Sequence, residues 1–442
     1  MKKHLFYSLL MLISLMGCNA AKANPETEVA EEDEEGLPVI NLSENIKEVS
    51  ALNLSDAAER VEIVKLETMD KILLSDISSV QVTDNELFVA ARGNILRFSH
   101  DGKYLNSIGN KGPGPGEFSS LVGFCIDEKT KEVIVEGSNG ILVFDYKGNF
   151  LRDAKRELPE KLFDGTQHQL VVYQGNYLVC RNLPIFNVFH PEDLLWSVAV
   201  TDSEFNMQKL FKNPSHLGKE DEILSDENLG HNTGWYNYWT EIPTSVDYSN
   251  DEITFKLPDT DTIYTYDSAK QVLKPRYAIY TREEKGDYKL IHQWVKERKA
   301  FDYFSIDGYY STASSIYFIA DKNEQIYTYH YNKHNGAVQR VQRKGELREN
   351  GGIFVLQFGR PHLRLNRYFI LTNDITGGDF KVDFRSQGKY WIQVLEVGDS
   401  SYEEFVENLK TSPTAPQKQQ LLDVIARTGE EDNPILLIAV LK

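Results

Sequence analysis

Ile108–Phe118 reads Ile-Gly-Asn-Lys-Gly-Pro-Gly-Pro-Gly-Glu-Phe, and this stretch decides the fold of the chain. Proline fixes its own φ and keeps the preceding residue out of helical geometry, so Pro113 and Pro115 predict a stiff, extended connector. Gly116 lies outside that restriction and can supply a positive φ before Glu117. A phosphate-binding loop needs consecutive backbone N–H donors, which the two prolines lack. We therefore interpret the stretch as a structural turn.

Two copies of one strand unit flank this turn. Ile95–Leu105 and Ile141–Leu151 each contain an apolar strand, an X-Gly turn and a second strand, which is a hairpin pattern. The spacing between Phe98 and Phe144, which occupy equivalent positions, is close to the period of roughly 40–50 residues typical of propeller blades. The turn is thus predicted to connect one blade of an all-β propeller to the next.

Apolar segments along the chain complete a six-bladed β-propeller with small helical inserts. Blade one is predicted over Ile77–Ile108 and blade two over Leu121–Lys155. The remaining blades are assigned to Gln169–Tyr173, Asn176–Arg181, Trp196–Thr201 and Met207–Phe211; to Ser245–Tyr248, Glu252–Leu257, Thr262–Tyr266 and Leu273–Tyr280; to Ser315–Ala320, Gln325–Tyr331 and Ala337–Gln342; and to Tyr368–Thr372, Tyr390–Leu395 and Ile435–Leu441. A ring leaves an open edge unless its first and last strands share a sheet. We therefore predict that Ile435–Leu441 pairs with Val61–Leu66.

Helical inserts are predicted at two places. Asp287 is expected to cap a helix whose apolar stripe is Leu290, Ile291, Trp294 and Val295. Near the end of the chain, Ser401 and Glu404 have the spacing of a capping box before Phe405 and Leu409. A further helix carries Leu421, Leu422, Val424 and Ile425 and is expected to stop at Gly429. These apolar faces are expected to pack on the propeller.

The repeat residues resemble a known family. Ile108-Gly109 followed by Gly112–Phe118, after Phe98 and Asp101-Gly102-Lys103, is similar to NHL-type repeats, and more closely resembles the six-bladed β-propeller lipoproteins of Bacteroidota. Further matching pieces are Val64–Thr68, Asp261–Tyr264 and Asn433–Leu436. The resemblance implies a propeller fold and export, and it implies no established activity.

The N-terminus has the pattern of an export signal over residues 1–17. Lys2 and Lys3 precede the apolar run Leu5–Met16, which is too short to span a bilayer as a helix. Leu15-Met16-Gly17-Cys18 resembles the bacterial lipobox, so we predict that Cys18 is lipidated and anchors the protein to the outer membrane, on the periplasmic or the surface side. An ordinary signal peptide cleaved near Ala20 or Ala23 is the alternative.

Residues 18–40 are predicted to be an acidic, flexible tether ahead of a propeller over residues 41–442. Seven acidic residues crowd this segment, which therefore buries too little apolar surface to offset its chain entropy: Glu26, Glu28, Glu31, Glu32, Asp33, Glu34 and Glu35. The whole chain has 48 basic and 66 acidic residues, a net charge of −18. Nucleic acid is not an expected partner, because its binding depends on Lys and Arg neutralising phosphates.

Metal and thiol chemistry receive little support. His330 and His334 lie four apart on a predicted strand, a separation of roughly 13 Å, which is too long for two ligands of one ion. We therefore predict no metal site and no cofactor. Cys125 and Cys180 lie in apolar strand patterns and are expected to be buried thiols, although an exported compartment would also permit a disulfide.

One polar and aromatic cluster is a candidate ligand surface. His231, Trp235, Tyr238 and Trp239 lie in the long insert between predicted blades three and four. Aromatic rings offer flat apolar faces to sugars or peptides, and their N–H and O–H groups orient the ligand. The alternative is that these rings pack the insert onto its blade.

These patterns predict a non-enzymatic, envelope-anchored binding or scaffolding propeller that engages a protein or glycan partner. The alternative is a propeller enzyme, a metal-dependent lyase or hydrolase with its site at the central channel. Residues from several blades would converge on such a site, and short motifs do not reveal that arrangement.

Overall fold

A computed structural model describes residues 26–27, 36–69, 73–137, 140–153, 168–181, 183–184, 196–219, 221, 241–242, 244–249, 252–257, 260–282, 304–322, 325–344 and 369–442. The predicted signal peptide, most of the predicted tether and the helix expected at Asp287–Val295 lie outside these residues.

Six small antiparallel sheets form a six-bladed β-propeller, as the sequence predicts. Blade one contains β5 (Ile77–Val82), β6 (Glu86–Ala91), β7 (Asn94–Ser99) and β8 (Tyr104–Ile108); blade two β11 (Leu121–Asp127), β12 (Glu132–Gly137), β13 (Gly140–Asp145) and β14 (Phe150–Asp153); blade three β15 (His168–Tyr173), β16 (Asn176–Arg181), β18 (Trp196–Thr201) and β19 (Met207–Lys212). Blade four contains β21 (Ser245–Ser249), β22 (Glu252–Lys256), β23 (Thr262–Asp267) and β24 (Val272–Tyr280); blade five β25 (Ser305–Ser311), β26 (Ser315–Lys322), β27 (Gln325–Asn332) and β28 (Val338–Lys344). Blade six contains β31 (Phe384–Ser386), β32 (Tyr390–Leu395), β33 (Ile435–Leu441) and the early strand β4 (Ala58–Lys65).

The remaining elements are short. Three two-stranded pairs join β9 (Asn110–Lys111) to β10 (Glu117–Phe118), β17 (Leu183–Pro184) to β20 (Glu241–Ile242), and β29 (Ile370–Thr372) to β30 (Asp379–Lys381). Two helices, α1 (Ser400–Thr411) and α2 (Lys418–Ala426), lie between β32 and β33, and 3-10 turns cover Leu54–Asp56 and Pro214–His216.

The chain before the first blade runs along the outside of the ring. β1 (Glu26–Thr27) pairs in parallel with β19, β2 (Val39–Asn41) with β24, and β3 (Lys47–Glu48) with β28. Each short strand covers part of an outer edge that would otherwise present unpaired N–H and C=O groups. Within the predicted tether, Glu26–Thr27 and Val39–Ile40 are therefore strand-paired, in contrast to a freely solvated spacer.

The ring is closed by the pairing that the sequence predicts. β33 pairs antiparallel with β4, from Ile435 opposite Lys65 to Ala439 opposite Val61. Asn433 reinforces the seam, because its side chain donates to the Glu67 carbonyl (2.7 Å) and accepts from the Leu74 N–H (2.6 Å). The first and last parts of the propeller thus form one sheet.

The glycine-proline stretch is a compact turn, in agreement with its predicted role. Gly116 has φ +72°, and the Gly114 N–H donates to Glu117 Oε2 (2.9 Å). A Cβ on Gly112 would lie 2.1 Å from the same carboxylate oxygen, so a larger residue there would displace the Glu117 side chain from the turn. Because Glu117 fills the turn, an N–H that a phosphate would need is already engaged.

The hairpin turns after β7 and β13 pack against the preceding blade. Gly102 and Gly148 have φ near +85°, and a Cβ on either would come within 2.4 Å of a backbone oxygen, that of Lys65 or Ser107. Blade three has a turn of the same kind in which Phe205 adopts φ +61° without glycine. Because Phe205 stands where the first two copies have glycine, the third copy of the repeat is not recognised by comparing the sequences.

Some sequence assignments are wrong. The segment predicted at Tyr368–Thr372 is not a blade strand, because its described part, β29, pairs with β30 in a separate two-stranded sheet. The innermost strands of blades five and six, β25 and β31, were absent from the predicted set. The capping box is also wrong: Asp399, not Ser401, caps α1, and its side chain accepts from the Ser401 N–H. Propensity alone does not distinguish two capping residues two positions apart.

Six apolar clusters fill the spaces between neighbouring blades. The cluster between blades five and six includes Trp391 and also receives Phe405 and Leu409 of α1 and Leu421 of α2. The helices near the C-terminus therefore pack on the propeller, as expected.

Candidate functional site

The central channel contains a cavity of about 260 Å³. The inner strands of blades one, three and five contribute to its wall, together with β31 of blade six and the two residues before it. Its lining comprises Ser79, Val80, Gln81, Gln169, Tyr310, Val382, Asp383, Phe384 and Arg385. Four blades thus converge on one space that is lined by several polar side chains.

Arg385 is held in this wall by a three-residue strand. β31 pairs with β32, which places Arg385 opposite Trp391. Ser386, the next residue, ties β31 to blade one, because its hydroxyl accepts from the Val82 N–H (2.7 Å) and donates to the Val82 carbonyl (2.9 Å). The backbone on the C-terminal side of Arg385 is therefore fixed against the neighbouring blade.

The Arg385 guanidinium joins three blades through Asp247. Its Nη1 donates to Asp247 Oδ2 (3.2 Å) and to the Tyr309 carbonyl (2.9 Å), so blade six contacts blades four and five. Asp247 also accepts from the backbone N–H groups of Ser311 and Tyr248, each at 2.8 Å. Burial raises the pKa of Asp247, whereas Arg385 and the two backbone donors oppose that rise. Both carboxylate oxygens are engaged.

Tyr310 supports the guanidinium. The Arg385 Cζ lies 4.7 Å from the centre of the Tyr310 ring, within the range of a cation–π contact. The same ring packs on Phe369, with centroids 4.4 Å apart. Burial raises the pKa of Tyr310, so the phenol stays protonated and remains a hydrogen-bond donor at neutral pH.

Several donors on the cavity wall have no partner among the described residues. Arg385 makes its hydrogen bonds through Nη1. No hydrogen bond to another described residue involves its Nε or Nη2. Gln81 Oε1 lies 3.2 Å from Ser386 Oγ and shares its proton with the Val82 carbonyl, and no described residue accepts from the Gln81 amide N–H groups. The wall therefore offers hydrogen-bond donors to whatever enters the cavity.

A partly buried lysine, Lys333, adjoins this network. Lys333 Nζ donates to Ser311 Oγ (2.9 Å) and to the Thr312 carbonyl (2.6 Å). Burial lowers the pKa of Lys333 to about 8, because the charged ammonium is poorly solvated there. Since Ser311 also donates its N–H to Asp247, Lys333 helps to position the residue that holds the ion pair.

The site residues predicted from sequence lie elsewhere. Cys18, His231, Trp235, Tyr238 and Trp239 are outside the described residues, so their predicted roles stay predictions. His330 is buried and bonds to Ser315 and Gln339. No group of three potential metal ligands occurs among the described side chains.

The two thiols are free and buried, in agreement with the thiol interpretation, and burial raises the pKa of both Cys125 and Cys180. Over the described ranges, no helix has the length and apolar character needed to span a membrane.

Sequence reasoning missed Arg385, Tyr310 and Gln81. One usable signal was Asp247, an acidic residue inside the otherwise strand-like Ser245–Tyr248 segment. A charge in a buried strand requires a partner, and such a partner marks a place where blades meet.

Residues 37–440 match the family described as "Domain of unknown function (DUF4934)". The chain belongs to this family. The DUF4934 match spans all six blades and the closing strand, so the family corresponds to the whole propeller. No match was found among curated proteins.

Solved structures resemble this DUF4934 propeller at low sequence identity. A Bacteroides fragilis protein described as exported is similar over 91% of this chain and 100% of its own, with 18% identity and a TM-score of 0.58. A DUF4221-family protein of Bacteroides vulgatus matches 65% of this chain and 86% of its own, with 10% identity and a TM-score of 0.40. Only the first comparison has a TM-score above 0.5, and at 18% identity it supports the fold alone.

Proposed function

We propose that this DUF4934 protein is an exported, lipid-anchored binding protein whose central channel engages a protein or glycan partner without catalysis. The observation that carries the proposal is Arg385, a guanidinium that is bonded across three blades and lines a polar cavity. Arginine placed in a concave, multi-blade site is a recognition group rather than an acid or base, because it stays protonated.

The carboxylates of Asp383, in the cavity wall, and of Asp247, which holds Arg385, support binding over chemistry. Asp247 accepts three hydrogen bonds from Arg385, Ser311 and Tyr248. Asp383 contacts Lys381 Nζ through Oδ1 (2.8 Å) and accepts the Val394 N–H through Oδ2 (2.9 Å). Since all four oxygens have structural partners, these groups hold the wall in place, and the donors are what remains for a ligand.

Anchoring at Cys18 fits the path of the chain. β1 begins at Glu26, eight positions after Cys18, and pairs with the outer strand of blade three. Even fully extended, that link spans at most about 30 Å. A lipid at Cys18 would therefore keep the propeller close to the membrane surface.

Binding is tested by probing glycan and peptide arrays with the mature protein. Arg385→Met should lose the bound signal, whereas the control Arg60→Met, on the outer strand β4 with half of its side chain exposed, should keep it. Both variants should melt cooperatively. Equal array profiles for Arg385→Met and the wild type would overturn the channel as the binding site.

Anchoring is tested separately by metabolic labelling with palmitate. Cys18→Ala should lose the label and leave the outer-membrane fraction, while Cys125→Ala should retain both. Label that persists in Cys18→Ala would contradict lipidation.

A further inference from the structure

We infer that the channel binds a carboxylate, the acid group of a hexuronic-acid residue in a glycan, through Nε and Nη2 of Arg385. This inference rests on the proposed function, because it names the ligand chemistry of that same site.

The geometry of the guanidinium suits a carboxylate. Arginine presents its donors in a planar fork, and Nε and Nη2 lie side by side along one edge. The other nitrogen, Nη1, is already engaged by Asp247 and the Tyr309 carbonyl. Two adjacent N–H groups match the two oxygens of a carboxylate, which makes a bidentate contact stronger and more specific than two neutral hydrogen bonds.

The guanidinium of Arg385 is fixed before a ligand arrives. Asp247 and the Tyr309 carbonyl hold one end of the guanidinium, and the Tyr310 ring lies against it. The Arg385 side chain is 28% exposed, compared with 4% for Asp247, so the charge is shielded on one side and accessible on the other. A fixed side chain loses little entropy on binding.

The surrounding lining offers further hydrogen-bonding groups. The Gln81 amide N–H groups, the Tyr310 hydroxyl and the side chains of Ser79 and Gln169 lie on the same wall. Hydroxyl and amide groups pair well with the ring hydroxyls of a sugar. The cavity, about 260 Å³, lies below the ~300–1,000 Å³ that hold drug-sized ligands, so it fits about one acidic sugar residue.

Charge balance permits an anion here. Two charged residues line the cavity, Arg385 and Asp383, and each has a counter-charge within 3.2 Å, from Asp247 and Lys381 respectively. Physiological salt screens exposed charges that lie more than about 8 Å away. A ligand carboxylate therefore meets a local field set mainly by the open guanidinium edge.

Saturation-transfer NMR and calorimetric titration of the mature protein with D-galacturonate and D-galactose test the inference. Galacturonate should bind at least about tenfold more tightly than galactose, because the two sugars differ only in the acid group. Arg385→Lys, which retains the charge and a donor to Asp247, should weaken galacturonate about tenfold or more and leave galactose unchanged. Arg60→Met should bind both sugars as the wild type does.

The remaining outcomes separate this inference from the proposed function. Equal binding of galactose and galacturonate, with Arg385 dependence, would overturn the carboxylate and leave channel binding intact. Tighter binding of N-acetyl-aspartate than of galacturonate would replace the acidic sugar with an acidic peptide. Binding of neither acid, together with array signals that do not depend on Arg385, would overturn both proposals.

Discussion

The seam that closes the ring and the strand that carries Arg385 lie in the same blade and differ in almost every physical respect. β33 is a seven-residue aliphatic strand whose first five residues are buried, and it pairs with β4 over its whole length. β31 has three residues, Phe-Arg-Ser, and its side chains face other blades and the channel. Within one sheet, the outer seam contributes buried apolar surface, and the inner strand carries the arginine that we propose as the recognition group.

Removing the seam should have the largest effect. Deletion of Asn433–Lys442 removes five fully buried apolar residues and leaves β4 and β32 without their shared partner. We expect loss of the cooperative unfolding transition, because the ring would open at blade six. Circular dichroism and calorimetric melting measure this, and a truncated chain that melts as the full chain does would contradict the closure.

Asp247→Asn should have the next largest effect on the free energy of unfolding. This substitution tests the inner strands rather than the seam. The substitution removes a carboxylate that accepts three hydrogen bonds and leaves Arg385 without its counter-charge. Breaking such a pair from one side costs about 2–4 kcal/mol of unfolding free energy. Chemical unfolding measures the loss, with Asp76→Asn, an exposed aspartate, as the matched control.

A double-mutant cycle sharpens this comparison. Arg385→Met should destabilise the Asp247→Asn protein less than it destabilises the wild type, because the two residues are coupled. Additive losses would show that the pair does not act as a unit.

The lowered pKa of Lys333 predicts that the free energy of unfolding depends on pH. Its folded pKa is about 8, below its ordinary value of 10.5, so the unfolded chain binds more protons between these values. Stability contributed through Lys333 should therefore rise with pH from about 8 to 10.5, by about 2–3 kcal/mol.

The measurement is the difference in unfolding free energy between the wild type and Lys333→Met at pH 7.5 and pH 10. This difference should shift in favour of the wild type at the higher pH. Taking the difference cancels the contribution of titrating tyrosines, which are common to both proteins. Lys270→Met, at an exposed lysine, should show no such shift. Parallel curves for wild type and Lys333→Met would contradict the desolvation of Lys333.

The smallest effect is expected at the exposed end of the seam. Asp432 accepts from Lys65, Thr68 and the Gly429 N–H, which lowers its pKa to about 2. Its stabilisation is present above the ordinary value near 4 and is lost as the pH falls towards 2. Because solvent reaches the group, Asp432→Asn should cost less than about 1 kcal/mol at pH 7. Urea unfolding curves of the two proteins should converge near pH 2; a constant offset would refute this origin.

The same contrast explains what the sequence could predict. β33 and the glycine-proline turn can be predicted from the sequence, because long aliphatic runs and Gly-Pro alternation have few other structural uses. β31 cannot, because a three-residue strand with arginine at its centre has no periodicity. β25, which contains Tyr310, also contains Asp307 and Gly308, and these residue types disfavour strands by propensity. The polar residues of the channel strands break the apolar pattern by which a strand is recognised in the sequence.

The most direct measurement of the central claim is a crystal structure of the mature protein soaked with D-galacturonate. The account predicts sugar density in the channel, with both carboxylate oxygens about 3 Å from Nε and Nη2 of Arg385 and with Nη1 still on Asp247. A sugar bound elsewhere on the propeller, with only water along that edge of Arg385, would contradict it.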